Sequence, residues 1–345
     1  MINSPINKMV SVCRPAIMRI TVALLLAFSM SSCFKEKPIK MPYIYNGPDV
    51  FVANMGGKYI QQLYFNLQTF QFTDSNSHFG YDLAFDCDPT SYNVWINGSK
   101  LMFACHTGKY NLVDVTSLAD TLGHNWREEL GSGDPAQNAI GTWSNYGVSN
   151  KEVYLLNLGT DSLGYSLGFK KMQMGDCAGD NYSVTFSNLD GSAMHSVSVP
   201  RKSLRNKIYL YFKDQQVKDL EPDYANWDII FTRYSVYFAA QNLPYQVTGV
   251  LTNPHKTVSY FMDSTSNFDS ISIHKVDQGK FTPLLDNIGY EWKRYGLGTS
   301  GTYTTLSGHN YIIKSDTRYY KLRFIDFYNA NAQEGYPKFQ VDELK

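Results

Sequence analysis

The chain has 345 residues, with 31 lysines and arginines balanced by 31 aspartates and glutamates, so its formal net charge is zero. That balance excludes nucleic-acid binding driven by counterion release, which needs a basic excess. A composition of 43% hydrophobic and 18% charged residues excludes a disordered chain, and the 26 Tyr and 20 Phe favour pleated, half-buried surfaces and hence β structure.

Lys8, Arg14 and Arg19 precede an apolar run from Ile20 to Phe28, closed by Ser29-Met30-Ser31-Ser32-Cys33. A basic stretch, a short apolar core and small residues before a cleavage point make residues 1–32 a secretory signal peptide, too short for a spanning helix. The small residues before Cys33 resemble a lipobox, with Met30 where leucine is commoner. Cys33 is thereby expected to carry the lipid anchor, with residues 33–43 as a tether. The charged Lys35-Glu36-Lys37 resembles the surface-display signals of some Gram-negative lineages. The expected location is the outer membrane, on its periplasmic face or at the cell surface.

Cys87, Cys105 and Cys177 remain in the mature chain. An odd number at wide spacing defines no disulfide framework. Two readings stay open: Cys87 paired with Cys105 across neighbouring strands, or buried free thiols acting as small hydrophobes.

The mature chain repeats itself. Leu63-Tyr64-Phe65 followed by Tyr81-Asp82-Leu83-Ala84-Phe85 returns as Leu210-Tyr211-Phe212 followed by Trp227-Asp228-Ile229-Ile230-Phe231. Thr116, Leu118, Asp120, Leu122, Gly123 and Trp126-Arg127 return at identical spacing as Thr282, Leu284, Asp286, Ile288, Gly289 and Trp292-Lys293. Val153 to Met174 matches Tyr311 to Phe327 more loosely. This predicts a tandem duplication, residues 44–200 and 205–345, with extra residues in the second copy around Pro254 to Gln278.

Each copy reads as strands. Tyr92-x-Val94-x-Ile96, Tyr182-x-Val184-x-Phe186 and Tyr234-x-Val236-x-Phe238 alternate with a period of two, and Leu322, Phe324, Phe327, Phe339 and Val341 continue the pattern. Asn97-Gly98, Asp190-Gly191 and Asp277-Gln278-Gly279 are turn signals. Val115 to Leu122 and Thr282 to Ile288 are the short helix candidates. The expected fold is mainly β: two tandem antiparallel units with few short helices.

Three patterns suggest chemistry. Gly164-Tyr165-Ser166-Leu167-Gly168 fits the nucleophile elbow of a serine hydrolase, but strand-like segments flank it where a helix should follow, so its glycines read as turn formers. Gly296-Leu297-Gly298-Thr299-Ser300-Gly301 fits a dinucleotide loop, but β-branched and aromatic residues follow it. Asp82 and Asp228 recur between apolar neighbours, where a carboxylate bonds backbone amides. None of the seven histidines has zinc-site spacing, and no metal site or enzyme activity is expected.

A strand ending in Tyr-Phe, then Trp227-Asp228-Ile229-Ile230-Phe231-Thr232-Arg233, the Trp292 block, and the ending Tyr320 to Tyr328 with Gly335-Tyr336-Pro337-Lys338-Phe339 are similar to the HmuY-like family of haem-binding lipoproteins. The resemblance covers nearly all of the second copy and more faintly the first. It implies a non-enzymatic β lipoprotein that captures haem or a related porphyrin and passes it to a TonB-dependent outer-membrane receptor. It also implies histidine or methionine axial ligands, but no histidine here matches by motif. The candidates are His255, His274 and Met262 in the second copy, and Met172 and Met174 in the first. The alternative reading is a surface adhesion or accessory protein that binds protein or glycan through its tyrosines, without haem.

Overall fold

Aromatic and β-branched runs, interrupted by glycine, asparagine and aspartate turns, set the secondary structure. The structure, a computed structural model, describes residues 50–296 and 301–345. The expected signal peptide, Cys33 and the tether over 33–43 lie outside the described residues, as do positions 297–300 of the glycine-rich loop.

In chain order the strands are β1 Val50–Val52, β2 Gln61–Asn66, β3 Gln71–Ser77, β4 Leu83–Asp86, β5 Val94–Ile96, β6 Phe103–His106 and β7 Trp126–Glu128. Next are β8 Ser144–Asn145, β9 Val148–Ser149, β10 Val153–Asn157, β11 Phe169–Met174, β12 Asn181–Ser187, β13 His195–Pro200, β14 Lys207–Tyr211 and β15 Gln216–Lys218. The last group is β16 Ile229–Phe238, β17 Leu243–Thr252, β18 Thr257–Asp263, β19 Lys293–Tyr295, β20 Tyr303–Thr305, β21 Asn310–Ser315, β22 Arg318–Tyr328 and β23 Glu334–Leu344.

The fold is mainly β, in several antiparallel sheets. Among the described residues only 3-10 turns break the strands, and no helix is long and apolar enough to cross a membrane. The helix expected over Val115 to Leu122 contracts to a 3-10 turn at Leu118–Thr121, closed by a capping box between Ser117 and Asp120. Thr282 to Ile288 forms no helix. Pro283 removes a backbone donor, and the Asn287 amide instead donates to Thr282 Oγ1 and Leu284 O, both at 2.8 Å.

Two lobes result. In the first, a sheet of order β13-β12-β11-β10-β6-β7 faces a sheet of order β15-β14-β4-β5. Between them lie Phe85, Ile96, Trp143, Tyr182, Phe186 and Leu210. In the second, β1-β23-β22-β21-β18 faces β17-β16-β2-β3 around Phe65, Phe231, Trp292, Phe324 and Phe339. Alternation along β12 places Tyr182, Val184 and Phe186 inward, as its sequence pattern requires.

Strand pairing runs across the boundary read near residue 200. β14 pairs with β4, Leu210 opposite Leu83, and β2 pairs with β16, Phe65 opposite Ile229. The first lobe is thus continuous from β4 to β15, whereas the second is assembled from both ends of the described chain.

The hairpins that follow Asp82 and Asp228 differ in length: β16–β17 carries ten residues on each arm, against four and three for β4–β5.

Buried lysines fasten loops onto each lobe. Lys171 on β11 donates to the carbonyls of Val115 and Leu189, and Lys321 on β22 donates to Phe268 O. A buried ammonium needs such acceptors, because leaving it unsolvated would cost several kcal/mol.

Candidate functional site

The lobes meet where the 3-10 turn Gly98–Lys100 touches β16. The Ser235 hydroxyl donates to Gly98 O at 2.8 Å, and Gln246 Nε2 donates to Ser99 O at 2.8 Å. Gly131 is required here: a Cβ at that position would come within 2.2 Å of the Tyr234 ring.

Each lobe is fixed by the same buried arrangement. Asp82 accepts the backbone N–H of Phe212 at 2.7 Å and pairs with Lys100; Asp228 accepts that of Leu67 at 2.6 Å and pairs with Lys256 at 2.9 Å. Asn97 donates to His78 O and Tyr81 O, while Asn253 donates to Tyr224 O and Trp227 O. Both aspartates therefore tie backbone amides across the strand exchange, and each has its own lysine as counter-ion.

A cleft enclosing about 670 Å³ opens between the lobes. One wall carries Trp95, with the Lys207 ammonium 4.5 Å from its ring centroid, together with Lys202 and Arg205. The other carries Tyr224, Pro254, His255 and Leu285. Lys202 and Arg205 pair with Asp219, whereas Lys207 makes no ion pair among the described residues and is held by the cation–π contact. The Trp95 indole N–H donates to Asp86 Oδ1 at 2.8 Å, which fixes the ring plane.

The cleft continues into an inner chamber of about 140 Å³; Trp95, Asn206, Lys207, Pro254 and Leu285 line both spaces. Two carboxyls, Glu129 and Glu221, face the chamber. Burial pushes Glu129 up to about 8 and Glu221 up to about 7, against partial opposition from backbone N–H groups and the Lys207 charge.

The proposed haem ligands do not converge. His255 lies exposed in the outer cleft, its ring stacked on Tyr224 at 3.7 Å. Met262 is half-buried near the far end of β18, against Tyr260 and Phe268, about 17 Å of strand beyond Thr257. His274 is exposed on a separate 3-10 turn, Ile273–Lys275. Met172 and Met174 are buried within the first core. His255 is thus the one of these five that lines the cleft. Among the described residues, no group of three or more His, Cys, Asp and Glu side chains forms a metal cluster.

The other sequence patterns resolve locally. Ser166 is exposed on the β10–β11 connection, where its hydroxyl accepts the Gly168 N–H at 3.2 Å; Gly164 and Gly168 adopt positive φ, and β11 follows directly. After Gly301 the chain enters β20. Cys87, Cys105 and Cys177 are free thiols, the second of the two readings left open by the sequence. Cys87 packs between the sheets, whereas Cys105 faces the opposite side of β6 beside Val115 and Leu155.

Trp95, Lys207 and the two chamber carboxyls escaped the sequence reading because they are joined only by the strand exchange. One signal was available: Asn97-Gly98-Ser99-Lys100 and Asn253-Pro254-His255-Lys256 share an Asn-x-x-Lys pattern after the repeated aspartates.

No protein-family model matches the chain, and no curated protein matches it by sequence. Among solved structures, apo PinO from Porphyromonas gingivitis is similar with a TM-score of 0.34 at 11% identity, covering 86% of this chain and 96% of that one. A protein designated HmuY-like and heme-binding, from Bacteroides vulgatus, is similar with a TM-score of 0.22 at 17% identity, covering 39% of this chain and 82% of its own. A protein designated a lipoprotein, from Bacteroides fragilis, has a TM-score of 0.22 at 16% identity, covering 49% and 91%.

Proposed function

We propose that this chain is a duplicated, non-enzymatic binding lipoprotein, anchored through Cys33 in the outer membrane, which captures haem or a related porphyrin in the cleft between its lobes. Transfer to a TonB-dependent receptor is part of the same reading. The observation that carries it is the composition of the outer cleft: an indole face at Trp95, a cation at Lys207 with no ion pair among the described residues, and the imidazole of His255, around a space of about 670 Å³. A porphyrin offers complementary chemistry, namely a flat apolar ring, carboxylates at one edge and an iron that accepts imidazole nitrogen. The three residues supply stacking, charge and a donor atom from opposite walls.

Titration of micromolar haem into the purified protein tests this. A saturable Soret change that weakens in His255→Ala and Lys207→Ala supports the reading. An unchanged spectrum removes porphyrin from it. Retained binding in both variants places the iron elsewhere.

A second reading, adhesion to protein or glycan, draws on the tip of the long β16–β17 hairpin, where Tyr237, Leu243 and Tyr245 are exposed. Scattered apolar side chains are ordinary on a surface, but these three share one protruding element. Shortening that hairpin to the length of β4–β5 should abolish such adhesion and leave the haem spectrum unchanged.

A further inference from the structure

We infer that the inner chamber is a separate binding site for a neutral, polyhydroxylated ring of monosaccharide size. The site adjoins the outer cleft and shares Trp95 and Lys207 with it.

Size sets the first limit. About 140 Å³ is close to the cavity volume that admits a single six-membered ring, whose substituents would extend towards the adjoining cleft, and far below what a porphyrin requires. The walls set the second. Tyr81, Trp95 and Trp227 line the chamber, and aromatic faces suit the C–H face of a sugar while leaving its rim of hydroxyls free.

The polar groups then select among small rings. Glu129, only 6% exposed, uses Oε2 to accept the Ile96 and Ala139 N–H groups, while Oε1 has no partner among the described residues. The indole N–H of Trp227, a residue 3% exposed, is buried without a partner. Leaving the buried Trp227 donor unpaired is costly, and a ligand hydroxyl can accept from it while donating to Glu129 Oε1.

Glu129 and Glu221 line the chamber with Lys207 and Arg233, and burial raises both carboxyls. A protonated Glu129 offers a donor and an acceptor on one side chain rather than a counter-ion for a cation, which suits the hydroxyls of an uncharged ring.

The test uses the purified full chain. D-glucose, D-galactose and N-acetyl-D-glucosamine are titrated separately, with choline chloride and sodium acetate as charged controls. Binding is read by saturation-transfer NMR and by tryptophan fluorescence. At least one sugar is expected to bind saturably, and to bind about tenfold more weakly to Glu129→Gln and to Trp227→Phe. Should Glu129→Gln fail to fold, Trp227→Phe, which keeps an aromatic face but removes the N–H donor with the pyrrole part of the indole, decides alone. No saturable sugar binding up to about 50 mM, sugar affinity unchanged in the folded variants, or tighter binding of choline or acetate would overturn the assignment.

Discussion

The carboxylate of Asp82 accepts the backbone N–H of Phe212, 130 positions later in the chain, at 2.7 Å. The same carboxylate neutralises Lys100, and the two side chains are 3% and 1% exposed. Replacing Asp82 with asparagine keeps the shape but leaves a buried ammonium unpaired. The expected loss is about 3–5 kcal/mol in urea unfolding. Adding Lys100→Met removes the stranded charge and should recover most of that loss. A single variant that unfolds at the wild-type urea concentration would contradict this role.

Strand exchange makes a prediction about fragments. Residues 79–222 contain every strand of the first lobe's two packed sheets and should unfold cooperatively in isolation. Residues 205–345 correspond to the second repeat but lack β1, β2 and β3, including Phe65 of that core. This fragment should show no cooperative transition by circular dichroism. The opposite pair of results would mean that β2 and β14 can return to their own halves.

Stability should depend on pH through the chamber carboxyls. Glu129 has a folded pKa raised to about 8 by burial. Its ordinary value lies near 4.5, so the unfolded chain releases this proton first as pH rises. Its favourable contribution is complete below pH 4.5 and is lost progressively towards pH 8. Glu129→Gln, which cannot ionise, should therefore gain in melting temperature relative to the native chain between pH 5 and pH 9. His78 acts in the opposite sense, since burial lowers it to about 4, and its penalty appears as pH falls from 6.5. A difference in melting temperature that is constant with pH would remove Glu129 from this account.

The thiols give a chemical check. Cys87 and Cys105 are buried, and burial raises Cys87 to about 11. In native protein lacking residues 1–33, alkylation at pH 8 should spare both, whereas denaturation without reductant should expose three reactive thiols at Cys87, Cys105 and Cys177. Recovery of only one reactive thiol would show that two of them had paired.

Much of the β architecture was legible, because period-two patterns such as Tyr182, Val184 and Phe186 report directly which face is buried. The repeat expected from the sequence does not carry the strand register. Sequence similarity aligns Tyr64 with Tyr211, whereas in the structure Tyr64 packs on Trp227 and Tyr209 packs on Tyr81. The two-residue slip keeps the same face, so period alone cannot reveal it. Trp126 matched Trp292 at identical spacing, yet the fully buried tryptophan of the first lobe is Trp143. The cleft was hidden for a different reason. Trp95 and Lys207 lie on strands that only the long-range pairing of β4 with β14 brings together.

The pairing of β2 with β16 has a consequence in time. As the chain is made, the β2–β3 hairpin precedes its partner strand by about 160 residues, which at 5–20 residues per second is roughly 8–30 s. The first lobe has all its strands before that partner exists. For that interval Tyr64, Phe65 and Leu67 have no finished core to enter, so the segment nearest the expected membrane anchor is the last to be enclosed and the first that a holding chaperone would meet.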